Sequence, residues 1–362
     1  MKHVDITSRS MLAPAASKVM IDDFLTPLLQ QLTEDARRIS PHYETLWQDI
    51  QNLYGAGGKR LRSYMTLLTY EAFGHRTPEA ILPAAAAQEL LHSAMLIHDD
   101  IIDRDTIRYG VKNVVRQYLD HYEELIDNEY ERQHYANSAA ILAGDLLLSQ
   151  SYILVSEANV DPRLVLATQR LLAQAVFKVI GGELLDTEAT FRGADSADPL
   201  LIAQLKTASY SFVTPFLVGA TLAEVSLAQC SILEQLGEQL GIAYQLRDDL
   251  LGVFGDQATT GKSINGDIKE GKRTFLVEKF QALASQAQCD EFAELFGTQD
   301  ASDETIARVK RLLTETGARQ AVEELIESYR DHCYGLVNSL EVDQSHQEAF
   351  IQLINICVKR DK

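Results

Sequence analysis

Apolar residues recur along this chain at three- and four-residue spacing and almost nowhere in alternation. Residues 15–38 carry Met20, Phe24, Leu28 and Leu32 on one stripe, and residues 43–53 carry Leu46, Ile50 and Leu53. That spacing predicts amphipathic helices. An uninterrupted apolar pattern without Gly or Pro runs from Ala84 through Leu90, Leu91 and Ala94 to Ile97. Helical patterns follow over 137–158, 163–188, 201–222 and 302–358. No run of alternating β-branched residues is bounded by turn pairs, so strands are not expected. Pro78, Pro162 and Pro199 stand where helices begin. Pro27 and Pro215 fall inside helical patterns and are predicted to kink them. Without a solenoid repeat, a low-complexity linker or a composition break, the chain reads as a single all-α domain over 1–362.

The polar positions that break this pattern fall in two places. His98-Asp99-Asp100-Ile101-Ile102-Asp103-Arg104-Asp105 ends the run from Ala84, and Gln245-Leu246-Arg247-Asp248-Asp249-Leu250-Leu251-Gly252 ends a second long apolar run. On a helix Asp99 and Asp103 share a face one turn apart, with Asp100 beside them. Like charges at that spacing repel, and a helix C-terminus is itself negative, so both terms are unfavourable until a cation arrives. Mg²⁺ is typically held by one or two carboxylates together with substrate phosphates. One such cluster alone reads first as a solvated acidic helix end; two with the same grammar are explained as walls of one metal site.

Candidate anion-binding residues complement the acids. Gly55-Ala56-Gly57-Gly58-Lys59-Arg60-Leu61-Arg62 opens a backbone that a ligand can approach, and Lys59 and Arg62 lie three apart on one helix face. The stretch lacks the Gly-Lys-[Ser/Thr] ending of a Walker loop; an ordinary turn beside two solvated cations is the plainer alternative. Lys206 sits in an apolar run among Ile202, Leu205, Phe212 and Phe216, either snorkelling or aimed at a buried anion. Gly181 and Gly182 are read as allowing close helix packing. Residues 117–135 are acidic and tyrosine-rich, read as a surface helical insertion.

Charge and cysteine usage narrow the partners. With 33 Lys+Arg against 52 Asp+Glu the net charge is −19, which argues against a nucleic-acid or anionic-membrane surface. Cys230, Cys289, Cys333 and Cys357 are far apart and without metal-ligand spacing, as expected of reduced thiols in a cytoplasmic protein. Met-Lys-His-Val-Asp at the start lacks the apolar core of a signal peptide. No apolar run is read as long enough for a membrane span.

In motif order and spacing, residues 40–280 resemble the trans-isoprenyl diphosphate synthases (polyprenyl synthetases). The resemblance implies an isoprenoid synthase fold, a bundle of antiparallel helices around a deep central cavity, usually homodimeric. It implies that Asp99, Asp100 and Asp103, with Asp248 and Asp249, bind up to three Mg²⁺ ions. It assigns isopentenyl diphosphate to Gly58, Lys59, Arg62 and His92. The allylic diphosphate falls to Arg108, Lys206 and Lys262, with Lys272 nearby and Thr207 and Gln245 facing the cation. Catalysis then rests on Asp99, Asp100, Asp103, Lys206, Asp248 and Lys262. The implied reaction is a Mg-dependent head-to-tail (1′-4) condensation giving an all-trans polyprenyl diphosphate. An allylic C–O bond breaks, the homoallylic double bond attacks the carbocation, and the departing diphosphate takes the proton.

Two positions depart from the family pattern. Tyr109 stands where the family usually has a second arginine, removing a cation from the isopentenyl diphosphate site. Gly252 stands where an aspartate would complete the second motif. Chain length is assigned to Ala94 and Met95, about 6–7.5 Å below Asp99 at roughly 1.5 Å per residue; a small Ala94 predicts a geranylgeranyl (C20) or longer product. Two other classes share part of this pattern. A class I terpene cyclase would leave Lys59 and Arg62 without a task. A weakly active regulatory subunit of a hetero-oligomeric synthase would not need both aspartate clusters.

Overall fold

The computed structural model describes residues 13–75, 77–189, 191, 198–255 and 265–359. Helices carry nearly all of them: α1 (Pro14–Ile39), α2 (Pro41–Ala56), α3 (Leu61–Ala72), α4 (Leu82–Ile102), α5 (Val114–His121), α6 (Glu129–Ser156), α7 (Pro162–Ala189), α8 (Pro199–Ile202), a π-helix (Ala203–Val213), α9 (Thr214–Leu222) and α10 (Leu227–Phe254). After these come α11 (Gly266–Glu270), α12 (Phe275–Leu283), α13 (Gln286–Leu295), α14 (Asp303–Glu315), α15 (Ala318–Asn338) and α16 (Gln344–Val358). Among the described residues the strands are limited to a two-residue antiparallel hairpin, β1 (Ile107–Arg108) with β2 (Val111–Lys112), in the register Arg108 opposite Val111.

The contacts divide the chain into two compact units, residues 1–171 with 215–225, and residues 172–214 with 226–362. In the first unit α4 packs along α6 and against α3, and α1 packs on α2, α3 and α4. Ala84 to Ala87 are all fully buried, and these small side chains let α4 lie close to its neighbours. At Gly144 of α6 a Cβ would meet the His98 ring, so the glycine leaves room for that histidine where it stands. In the second unit α10 packs on the π-helix, α15 and α16. Gly237 and Gly241 bring α10 against the backbone of Val213 and Ala208.

The two internal prolines behave differently. α1 continues through Pro27 from Pro14 to Ile39. Around Pro215 the expected kink is instead a change of helix type. Thr214 bonds to the carbonyl of Ser209, five residues back, through both its N–H and its hydroxyl at 2.9 Å. The π-helix so formed carries Lys206 and Thr207, in keeping with the occurrence of π-helical turns at functional sites.

The segment 117–135 is mostly exposed and largely helical. It comprises the end of α5, a turn and the first turns of α6, tied down by buried Tyr118 and its ring contacts with Tyr122 and Tyr135. Contrary to the sequence expectation about apolar runs, α6 and α7 both contain 18-residue windows apolar enough to cross a membrane by length and composition alone. The α6 window is 44% buried within the protein, where it forms the core against α4.

Candidate active site

In the first unit the aspartates close α4. Asp99 and Asp100 occupy its last turn, and Asp103 is the C-cap, its N–H bonded to the Asp99 carbonyl. Arg104 turns the chain with φ 58° and leads it into the β-hairpin. The return brings Arg108 into the acids with only 2% of its surface exposed. Its Nε donates to Asp100 Oδ1 at 2.8 Å; its Nη2 contacts the same oxygen, Asp99 Oδ2 at 3.2 Å and Asp105 Oδ2 at 3.4 Å. Asp100 is buried with Arg108, and desolvation pushes its carboxyl up to about 6 against the pull of the guanidinium. Its other oxygen, Oδ2, is buried without a hydrogen-bond partner. Asp99 is more open, with 22% of its side chain exposed.

The glycine turn between α2 and α3 is held in an unusual conformation. Gly58 has φ 106°, which a side chain would resist, and Arg60 follows at φ 53°. For a residue other than glycine the left-handed region costs about 1–2 kcal/mol. Lys59 is exposed, Arg62 half-buried and Arg60 buried, so the three cations of this stretch differ in their access to solvent. Tyr109 at the hairpin tip is also left-handed, with φ 54°. Its ring atoms stand 3.2–3.4 Å from where a Cβ on Gly57 would be, and its phenol lies within the fields of Arg62 and Glu89. The residue read as a missing cation is therefore packed on the turn beside Arg62. His92 and Met95 are half-buried on α4 and Ala94 is fully buried.

In the second unit Lys206 is drawn to α7. Its Nζ lies 2.9 Å from Glu183 and 2.7 Å from Asp186. Gly182 makes that approach possible, since a Cβ there would strike the Lys206 backbone; Gly181 faces open space. Thr207 donates its hydroxyl to Gln245 Oε1, and Gln245 Nε2 donates to Asp249 Oδ1 at 2.8 Å. Because the carboxylate takes the amide N–H, the Gln245 carbonyl is fixed toward Thr207. Asp249 is 6% exposed, and burial, reinforced by Asp267, Asp248 and Asp186, pushes its carboxyl up to about 8 against the Gln245 bond. Lys272 lies near Glu270 at 3.4 Å and its N–H bonds to the Asp267 carbonyl. Lys262 lies outside the described residues.

Gly252, the second departure, has a local explanation. Asp267 Oδ2 stands 2.6 Å from where a Cβ on Gly252 would be, and Asn265 N–H bonds to the Gly252 carbonyl. The missing side chain makes room for a carboxylate arriving from α11. Gly252→Asp is accordingly expected to lower Tm and activity rather than improve them, measured by thermal unfolding and steady-state rate; improvement of both would show that Asp267 does not need the space.

Sequence reading did not assign Asp267, Glu183, Asp186, Glu89, Asp22 or Arg60 to the site. Their partners come from distant elements, and no spacing announced them. Among the described residues no three His, Cys, Asp or Glu side chains form a ready metal cage. The carboxyls that suit a divalent cation are Asp100 in the first unit, with its buried and unpartnered Oδ2, and Asp249 in the second, crowded by Asp267, Asp248 and Asp186; each is a hard oxygen ligand.

A sequence profile described as polyprenyl synthetase matches residues 44–313. The chain is similar to the geranylgeranyl diphosphate synthase of Methanosarcina mazei, with 32% identity over 286 residues, 79% of this chain and 81% of that protein. It is also similar to the short chain isoprenyl diphosphate synthase of Methanocaldococcus jannaschii, with 29% identity over 286 residues, again 79% and 81%. A crystal structure of geranylgeranyl pyrophosphate synthase from Corynebacterium glutamicum, complexed with isoprenyl diphosphate and magnesium, matches with TM-score 0.87 and 29% identity, covering 95% of this chain and 98% of that one. A polyprenyl synthase from Caulobacter crescentus complexed with calcium and isoprenyl diphosphate matches with TM-score 0.77 and 25% identity, covering 98% and 100%.

Proposed function

The chain belongs to the polyprenyl synthetase family, and from that premise we propose how its residues divide the work of elongating an all-trans prenyl diphosphate. It is a prenyltransferase, a transferase that depends on a divalent metal. The ion we assign is Mg²⁺, up to three of them, held by Asp99, Asp103 and Asp100 in the first unit and by Asp248 and Asp249 in the second. Bound there, the metal would supply Lewis-acid neutralisation of the leaving diphosphate.

The observation that carries the assignment is the buried Asp249 carboxyl with Asp267, Asp248 and Asp186 around it, a concentration of acid that a cation would relieve. Lys206, steadied by Glu183 and Asp186, binds an oxygen of the allylic diphosphate and stabilises the charge that grows there as the C–O bond breaks. Lys262 and Lys272 serve the same diphosphate. Arg108, which the resemblance assigned to the allylic diphosphate, is 2% exposed with its Nε and Nη2 on Asp100 and Asp99, so we assign it to orienting those aspartates instead. Thr207 hydroxyl and Gln245 carbonyl present oxygen to the allylic carbocation. Gly58, Lys59, Arg62 and His92 bind isopentenyl diphosphate, whose double bond attacks the cation. The departing diphosphate then accepts the proton, so no dedicated base is required.

We assign a product of C20 or longer, because Ala94 leaves the tail's path open below Asp99. Ala94→Phe is expected to shorten the principal product, read by chain-resolving chromatography, with Tm recorded because Ala94 is fully buried. An unchanged product distribution from folded variant would remove Ala94 from the tail's path. We further propose a homodimer formed through exposed apolar side chains of the first unit, Ile141, Leu142 and Ile153 on α6, in the cytoplasm, where the four free cysteines stay reduced. The deciding experiment is incubation with Mg²⁺, labelled isopentenyl diphosphate and geranyl or farnesyl diphosphate. Labelled polyprenyl diphosphates of C20 or more support the assignment; a cyclised hydrocarbon, or no condensation by the protein alone, overturns it.

A further inference from the structure

Three cations stand within four positions of the glycine turn, and the middle one is used differently from its neighbours. Arg60 is 7% exposed and left-handed, with φ 53°. Its Nε donates to Asp22 Oδ1 at 2.8 Å, and its Nη2 donates to the Tyr54 carbonyl at 2.9 Å. The guanidinium carbon lies 3.8 Å from the centre of the Tyr54 ring. Nη1 stands 2.6 Å from where a Cβ on Gly58 would be, so the guanidinium fills the space beneath that glycine. Asp22 is itself fixed, accepting from the Tyr54 hydroxyl at 3.0 Å and from Lys18. Asp22 and Lys18 belong to α1, upstream of the residues matched by the family profile.

We propose that the Asp22–Arg60 pair is a positioning device that presets the Gly57–Arg62 turn to receive the homoallylic diphosphate on Lys59 and Arg62. A left-handed arginine persists only where its surroundings over-determine it. Here two charge-assisted or backbone hydrogen bonds and a ring stack do so. Pulling the Arg60 side chain inward fixes the backbone between Lys59 and the first turn of α3, which carries Arg62. Arg60 and Asp22 touch no substrate in this arrangement; they set the geometry of residues that do. Without Asp22, Arg60 is a buried cation short of its counter-charge. The turn then relaxes toward a conformation that no longer holds the two binding cations in register. Misplacement of binding groups by about 1 Å suffices for a large kinetic penalty.

The inference rests on the assignment of this turn to isopentenyl diphosphate. The test is a double-variant cycle on the full chain: Asp22→Asn, Arg60→Met and both together, with KM measured for each substrate. Asp22→Asn should raise KM for isopentenyl diphosphate about tenfold, leaving kcat and the allylic KM within about twofold. The double variant should be no worse than Arg60→Met alone, since the pair acts as a unit. Asp22→Glu should recover part of the loss. Gln51→Ala, which removes a different tie of α1 through the Leu29 carbonyl, should lower Tm without moving either KM. If Asp22→Asn lowers Tm but leaves KM for isopentenyl diphosphate within twofold, or raises both KM values equally, the pair merely anchors α1 and the inference is overturned. If the wild-type protein condenses nothing, the functional assignment itself has failed, an outcome distinct from either.

Discussion

Asp100→Asn should cost the protein stability as well as catalysis, whereas Asp99→Asn should cost catalysis alone. The two residues are adjacent, but the last turn of α4 points them differently. Asp100 is buried against Arg108, which is itself 2% exposed. Removing one partner of a buried ion pair leaves an uncompensated charge, at about 3–5 kcal/mol. Asp99 and Asp105 remain near Arg108, so the lower end of that range is expected. For a unit of this size that corresponds to a Tm drop of about 6–12 °C. Asp99 contributes one contact of 3.2 Å to Arg108 from a partly exposed position, and its loss should leave Tm within about 2 °C. Both variants should lose about 10²–10³-fold in kcat, the scale for removing a group that stabilises developing charge. Thermal unfolding and steady-state kinetics on the same preparations separate the two. Equal Tm losses would mean that Asp99, not Asp100 alone, holds Arg108.

The second large effect concerns Asp249 and pH. Burial, with Asp267, Asp248 and Asp186 around it, raises its carboxyl from the ordinary range near 4 to about 8. The folded protein therefore binds this proton more tightly than the unfolded chain does. Stability from the protonated carboxyl is fully present below pH 4 and is lost as pH rises to about 8. Metal-free Asp249→Asn should accordingly be more stable than wild type at pH 8–9, by several degrees in Tm, and equal to it near pH 4. The same variant should lose at least about 10²-fold in kcat at saturating Mg²⁺. For the wild type, a cation must displace the proton, so the Mg²⁺ concentration giving half-maximal activity should fall as pH rises from 6 to 8. A pH-independent Mg²⁺ requirement would mean that Asp249 keeps its proton in the working enzyme and is no ligand.

Both departures from the family pattern acquire a physical meaning at this level. Tyr109 packs over Gly57 and shares the surroundings of Arg62, so the replacement of a cation is also a replacement of the packing on the turn. Gly252 vacates space that Asp267 enters. Neither could be read from a motif, because each compensation arrives from a residue outside it.

The sequence by itself determined the helical class, the approximate extent of α1, α2 and α7 though not the breaks that divide 302–358 into three helices, and which residue types gather at Asp99–Asp103, Asp248–Asp249 and Gly58–Arg62. Those properties are local: apolar periodicity, proline at helix starts and like charge at one-turn spacing are felt within a few residues. Only tertiary structure decided what each polar group does. It turned Asp100 inward and left Asp99 more open, although both are aspartates on one helix turn. It converted the stretch around Pro215 into a π-helix bearing Lys206 rather than a simple kink. It made Arg60 a strut by placing Asp22, thirty-eight residues upstream, beneath it, while Lys59 stayed exposed. Burial and counter-charge come from packing partners remote along the chain, and those two quantities set both the titration of a carboxyl and the direction an arginine points.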